Sequence, residues 1–172
     1  DWNAVRIERF RDTMRGKREN RWTKVRERAA KDIGSLSKRE FLIAGLFLYW
    51  GEGAKTSVAS TSLSNTDPAM IRFFIQWLEL LGVPKNRLRV YVHLYSDMDI
   101  KQELRYWSKT LDLPLSSFRK PYIKTSNRSG LSYSQKFTHG TCNVIYGNRD
   151  VSEYVLMALD YIRTEFAPKK SV

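Results

Sequence analysis

The sequence has almost nothing from which to build a soft metal site or a covalent cross-link. One cysteine, Cys142, stands among 172 residues, which excludes an intramolecular disulfide and any cysteine-rich zinc site. Two histidines, His93 and His139, are too few for a His-based metal centre. A metal, if one is used, has to be hard and oxygen-bound, as magnesium is. The longest apolar run, Phe41–Trp50, is too short to span a bilayer, and no segment reads as a signal peptide. No Ser-His-Asp order, P-loop or glycine-rich dinucleotide signature is present, so acyl transfer and nucleotide chemistry lack their usual parts. There is no internal repeat and no low-complexity tract. Acidic residues are the other shortage. Against 30 Lys and Arg there are 18 Asp and Glu, a net charge of +12. That balance points to a polyanionic partner, most often nucleic acid. It implies neither a membrane partner nor a small-molecule cofactor. The expected location is intracellular, cytoplasmic or at the nucleoid, with an organelle also open. The first residue is Asp1, not methionine, which leaves room for a segment upstream.

What is present is organised around one stretch, Phe41–Gly53. It is an almost uninterrupted apolar helix ending in Gly51-Glu52-Gly53, so a lone carboxylate sits where the most apolar helix stops. Ser37 and Glu40 before it have capping-box spacing. A helix apolar on nearly all sides needs cover on all sides, here a core on one side and a second chain on the other. Ala44, Gly45 and Gly51 are small enough for close helix–helix approach. The plainer alternative is a central core helix with a glycine C-cap.

Residues 1–36 read as a basic helical arm of one or two helices, broken near Gly16 and again at Gly34. Arg6, Arg9, Arg11, Arg15, Lys17, Arg18, Arg21, Lys24, Arg26, Arg28 and Lys31 make it a phosphate-tracking arm or a solvated helix. After the central helix, Ser57–Asn65 reads as a strand with one polar face. Asp67-Pro68 starts a helix that Gly82 and Pro84 close. In Arg87–Tyr95, Leu88, Val90, Val92 and Leu94 alternate strictly with Arg87, Arg89, Tyr91, His93 and Tyr95, which makes it the clearest strand. One face is aliphatic; the other is cationic and aromatic and carries no acid. Ser96 or Asp97 caps a helix over Asp99–Leu111. Phe118–Lys124 reads as a strand that Pro121 confines to an edge or a bulge. Asn127–Gly140 reads as a long loop and Thr141–Tyr146 as the last strand. Asp150 and Glu153 mark the start of a final helix, and 168–172 is a basic tail. The expected fold is α+β, an α-β-α-β-α-β-β-α sandwich over 37–167 with helices on one sheet face and the other open and basic.

The helix holding Ala44-Gly45-Leu46 and ending Gly51-Glu52-Gly53, followed by an α+β domain with a basic sheet, resembles the LAGLIDADG homing-endonuclease family, in its single-motif form. The resemblance covers roughly Ser37 to Phe166 in element order and leaves out the arm. With Glu52-Gly53 on the motif's closing acid and glycine, Trp50 stands where the motif has its first aspartate. The resemblance implies a homodimer paired through Ala44, Gly45, Leu48 and Gly51. It implies Mg2+ or another hard divalent cation on Glu52, with the Gly51 carbonyl as a second ligand. It implies phosphodiester hydrolysis of double-stranded DNA, in which Lys55, Lys120, Lys124 or Gln135 would serve as base or charge stabiliser. It also implies a sheet saddle on the DNA. The residues expected on DNA are Lys55, Thr61, Arg87, Arg89, Tyr91, His93, Tyr95, Arg119, Lys120, Lys124, Arg128 and Lys136. Members of this fold also act as DNA-binding regulators, so a non-catalytic, sequence-specific DNA-binding protein is the alternative. An RNA-binding protein, with Tyr91, Tyr95 and Tyr122 stacking on bases, and a structural basic subunit stand behind it.

Overall fold

The computed structural model describes residues 2–126 and 138–166. The chain divides into two units, Asp1–Ser37 and Lys38–Val172. The first is one helix, α1 (Trp2–Ile33), with no buried residue. The break expected near Gly16 does not occur. One interior glycine costs about 1 kcal/mol against alanine, and the Arg, Lys, Glu and Met residues around it are good helix formers. Short-range pairs, Asp12 with Arg15 and Arg28 with Asp32, line the helix. Gly34, at φ +58°, ends it.

The second unit is α+β. Its described elements are α2 (Lys38–Glu52), β1 (Thr61–Asn65), α3 (Pro68–Leu80), β2 (Arg89–Tyr95), α4 (Ile100–Leu111), β3 (Tyr122–Lys124), β4 (Thr141–Tyr146) and α5 (Arg149–Phe166). This is the expected element order. The four strands form one mixed sheet in the order β1-β4-β2-β3. β4 runs antiparallel to both β1 and β2, while β3 runs parallel to β2.

The alternation in β2 puts Val90, Val92 and Leu94 on one face, all fully buried, with Leu63 of β1 and Cys142 and Val144 of β4. Helices cover that face. α3 is the main contributor because Ile71, Phe74, Ile75 and Leu78 recur at helical spacing and Trp77 adds a large ring. Its start follows the sequence closely: Asp67 accepts from the Ala69 N–H at 2.8 Å and Pro68 occupies the first turn. Tyr49 of α2 lies in this aromatic layer, with ring centroids 6.2 Å from Phe74 and 6.0 Å from Trp77. Its hydroxyl donates to the Ala54 carbonyl.

Five boundaries differ from the sequence reading. The strand expected over Arg87–Tyr95 begins only at Arg89, because Lys85–Arg87 form a 3-10 turn that ends at Leu88. The strand expected over Ser57–Asn65 begins only at Thr61. α4 is capped by Asp99, which accepts from the Gln102 N–H at 2.8 Å, not by Ser96 or Asp97. α5 is capped by Asn148, which accepts from the Val151 N–H at 3.0 Å, so Asp150 lies inside the first turn. β3 is short. Phe118 bridges Val90, yet Tyr122 pairs with His93, so four steps on this chain answer three on β2. The extra residue falls around Pro121, which has no N–H to give to a ladder, and the strand lies at the sheet's edge as Pro121 required. The expected loop over Asn127–Gly140 lies mostly outside the described residues, and the tail 168–172 lies wholly outside them.

Candidate nucleic-acid interface

The face of the sheet opposite the helices is defined by register. Arg89 lies beside Ile145, with Ser62 one strand further on; Tyr91 beside Asn143, with Ser64 further on; His93 between Thr141 and Tyr122; Tyr95 beside Lys124. None of these eleven side chains is acidic. Arg89 and Tyr122 are exposed, and Tyr91 and His93 are half-buried. The His93 and Tyr122 rings lie 5.5 Å apart, so the aromatic row is continuous across the β2–β3 boundary. Arg87, Arg119 and Lys120 are exposed, and Arg87 and Arg119 share a cleft with Arg89 at the margin of this surface. Among the described residues Arg87, Arg89 and Arg119 form no ion pair. Cations left unpaired beside planar rings are the composition that tracks phosphates and packs on bases.

Two residues expected on this surface are elsewhere. Thr61 is fully buried, because β1 turns its odd-numbered side chains toward the helices, and its hydroxyl has no partner among the described residues. Tyr95 is on the open face by register but only 6% exposed. Lys124 covers it, with the ammonium 4.6 Å from the ring centroid and 3.5 Å from the phenol oxygen. Both therefore drop out as contact residues. Arg128, Gln135 and Lys136 lie outside the described residues.

Glu52 is exposed at the last position of α2. Its carboxylate accepts from the Asn65 amide at 3.3 Å, and the Asn65 oxygen in turn accepts from the Asp67 N–H at 2.9 Å. Sequence reading missed Asn65, although its place at the end of β1, just before the Asp67 cap, could have suggested it. Asn65 shares a sheet face with its partner Cys142, so Glu52 meets β1 from the helix side at the sheet's edge. Of the expected assisting groups, only Lys55 lies at this end. Its ammonium donates to the Trp50 and Gly53 carbonyls, both at 2.8 Å, and so satisfies acceptors at the negative end of the α2 dipole. Lys124 lies on β3, at the far edge of the sheet, and Lys120 lies in the segment leading to it. Three strand spacings of about 4.8 Å separate the two edges. Lys120 and Lys124 are therefore not brought to Glu52.

The residues expected at a dimer interface divide. A Cβ on Gly45 would sit 1.9 Å from the Trp77 ring, so this glycine serves close packing of α2 on α3 within the chain and is removed from the interface set. The Trp77 indole N–H, which donates to the Leu42 carbonyl at 3.1 Å, holds that contact. Ala44 and Leu48 are half-buried and Gly51 is exposed. Next to them Ile43 and Phe47 are 38% and 53% exposed, so among the described residues one stripe of the apolar helix is left largely open.

Two further groups were not visible in the sequence. Glu103 is buried on α4 and its carboxylate lies 2.8 Å from Nδ1 of His139. The imidazole stacks on Tyr106 at 3.4 Å, and the Trp107 indole donates to the His139 carbonyl at 2.7 Å. His139 is thus part of the support for β4. The second group is a cleft at the start of β2, lined by Arg87, Arg89, Tyr91, Ile145, Tyr146, Gly147 and Asn148. Among the described residues no three His, Cys, Asp or Glu side chains gather as a metal site, and no helix is long and apolar enough to cross a membrane. Comparison with family models, with curated proteins and with solved structures gives no match.

Proposed function

We propose that this protein binds double-stranded DNA site-specifically through the open face of its sheet and, as a homodimer, cleaves it through Glu52 with a divalent metal such as magnesium. The observation that carries this reading is the acid-free open face, in which Arg89, Tyr91, His93 and Tyr122 form a continuous row with the unpaired Arg87 and Arg119 at its margin. A β-surface of this kind enters the major groove, where an arginine held bidentate to guanine gives about 1–3 kcal/mol of discrimination. The uncovered stripe of α2, Ile43 and Phe47 with Ala44 and Gly51, supports the second copy.

The donors at the end of α2 bear on the metal. Each chain offers one carboxylate, Glu52, and the Gly51 carbonyl. That fits magnesium in its usual manner at phosphate sites, where one or two carboxylates combine with water and phosphate oxygens. Bound there, the ion would stabilise charge developing on the phosphoryl oxygens. Asn65 holds the Glu52 carboxylate in place, and Lys55 neutralises the helix end beside it. A non-catalytic DNA-binding role on the same scaffold is the second reading. It is favoured by the distance of Lys120 and Lys124 from Glu52 and by the engagement of Lys55 with backbone carbonyls.

Cleavage selection on a randomised duplex library with magnesium, run for wild type and Glu52→Gln in parallel, tests the proposal. A pseudo-palindromic cut site found only with wild type is the expected result. Enriched binding without cutting moves the protein to the second reading. No enrichment of duplex DNA by folded protein rejects both.

A further inference from the structure

The open face ends in two clefts that share a wall. The larger, ≈ 430 Å³, is lined by Arg87, Arg89, Tyr91, Ile145, Tyr146, Gly147 and Asn148. The smaller, ≈ 220 Å³, lies across Arg87 and Arg89 and adds Arg119, Ser116 and Asn86. Neither contains an acidic residue, and the three guanidiniums form no ion pair among the described residues. The walls therefore combine two chemistries. One is a planar and apolar surface, Tyr91 and Ile145, which share the open face by register. The other is a cluster of fork-shaped cations suited to phosphate oxygens. The larger volume falls within the range of small-ligand sites, about 300–1,000 Å³.

We propose that this double cleft receives a single unpaired nucleotide of the bound nucleic acid. Its base lies in the larger cleft against Tyr91, and its phosphate lies on Arg87, Arg89 and Arg119. A free phosphate would use only the guanidiniums and leave the Tyr91 ring idle. A stacked base pair would present its edges to the face and leave the recess empty. A nucleotide released from its stack uses both parts. The site then favours a strand end or a base turned out of the duplex over continuous duplex. The inference rests on the reading of the open face as a nucleic-acid surface and adds where an unstacked nucleotide goes.

The test is binding at one fixed salt concentration to three duplexes of the same sequence: blunt, with a 5′-phosphorylated one-nucleotide overhang, and with a one-base bulge. Stronger binding of the overhang identifies a strand end, and stronger binding of the bulge identifies an extruded base. The preferred substrate should bind about tenfold more tightly than the blunt duplex, as stacking of one base on an aromatic side chain allows. That ratio should fall toward one in Tyr91→Leu and in Arg119→Gln. A second measurement needs no variant. 2-Aminopurine at the unpaired position should change its emission on saturation, and the same probe inside the blunt duplex should not. Equal binding of all three duplexes overturns the inference while leaving duplex binding intact. So does an unchanged ratio in the folded variants, or an unresponsive probe. Binding only to substrates with an unpaired nucleotide keeps the inference and overturns the duplex reading. Binding to none overturns both.

Discussion

The chain carries two basic surfaces, and they are built in opposite ways. In α1 the apolar residues are outside: Trp2, Phe10 and Trp22 are 75%, 66% and 60% exposed, and nothing is buried. Some of its cations pair with nearby acids or lie over its own rings, as Arg18 does 5.1 Å from Trp22. In the sheet every aliphatic residue of β2 is inside, and the cation opposite them, Arg89, stands on a strand with neighbours on both sides. A guanidinium can select a base only if its position is fixed. A helix of mobile charges can supply affinity but no register. Charge alone makes the two regions look alike; the core behind the sheet makes them different.

The largest expected difference is between two tryptophans. Trp77→Ala should cost about 3–5 kcal/mol of unfolding free energy, as for a fully buried ring. Trp22→Ala should stay within about 0.5 kcal/mol, as surface substitutions do. Urea denaturation of both variants checks the contrast, and comparable losses would mean that α1 is covered after all. Gly45→Ala comes next. Its new methyl meets the Trp77 ring, so overpacking of about 1–3 kcal/mol should lower the urea midpoint. An unchanged midpoint would return Gly45 to the candidate dimer interface.

Replacing Lys17, Arg18, Arg21 and Lys24 with glutamine should weaken DNA binding evenly across sequences. The slope of log affinity against log salt should become shallower by about 0.9 for each phosphate that the arm no longer neutralises. A salt titration on specific and scrambled duplexes reads this directly, and weakening confined to the specific duplex would give the arm a part in recognition.

The smallest effect is the pH response of the core. Burial pushes the Tyr49 phenol and the Cys142 thiol up from their ordinary values of 10.0 and 9.0, with the backbone hydrogen bond to Ser62 partly opposing this at Tyr49. The folded state therefore holds these protons more tightly than the unfolded chain. Their contribution to stability is complete below the unfolded values of 9.0 and 10.0 and declines as pH rises beyond each. Denaturation midpoints between about pH 8 and 11 should fall accordingly, and the thiol should resist disulfide-exchange reagents at about pH 8 until the protein unfolds.

How much could be read in advance depended on how local the deciding physics was. β2 was legible because its residues alternate without interruption, and α3 because an Asp-Pro start, an apolar stripe and Gly82 all agree. Thr61 was misplaced because, in a run of Ser and Thr, Leu63 is the one clear marker of the inner face, and alternation puts Thr61, two residues before it, on that same face. Tyr95 was misjudged because its cover comes from Lys124, 29 residues away, on a strand shortened by Pro121. Ser96, Asp97 and Asp99 compete for one cap, and only the backbone path selects Asp99. In the candidate site, Glu52 was legible as the lone carboxylate at the end of an apolar helix. Its partner Asn65 was not, nor was the separation of Lys120 and Lys124 from it, because strand order decides both. The cleft residues Ile145 to Asn148 form no motif; β4 has to lie beside β2 before they meet Arg89.

The most direct measurement is the affinity of wild type and Arg89→Gln for a selected DNA site and for a scrambled duplex at the same salt. If the sheet reads the sequence, Arg89→Gln should lose about 1–3 kcal/mol on the selected site, lose little on the scrambled one, and relax preference at one base position. An equal loss on both duplexes, or an unchanged ratio between them, would contradict the account.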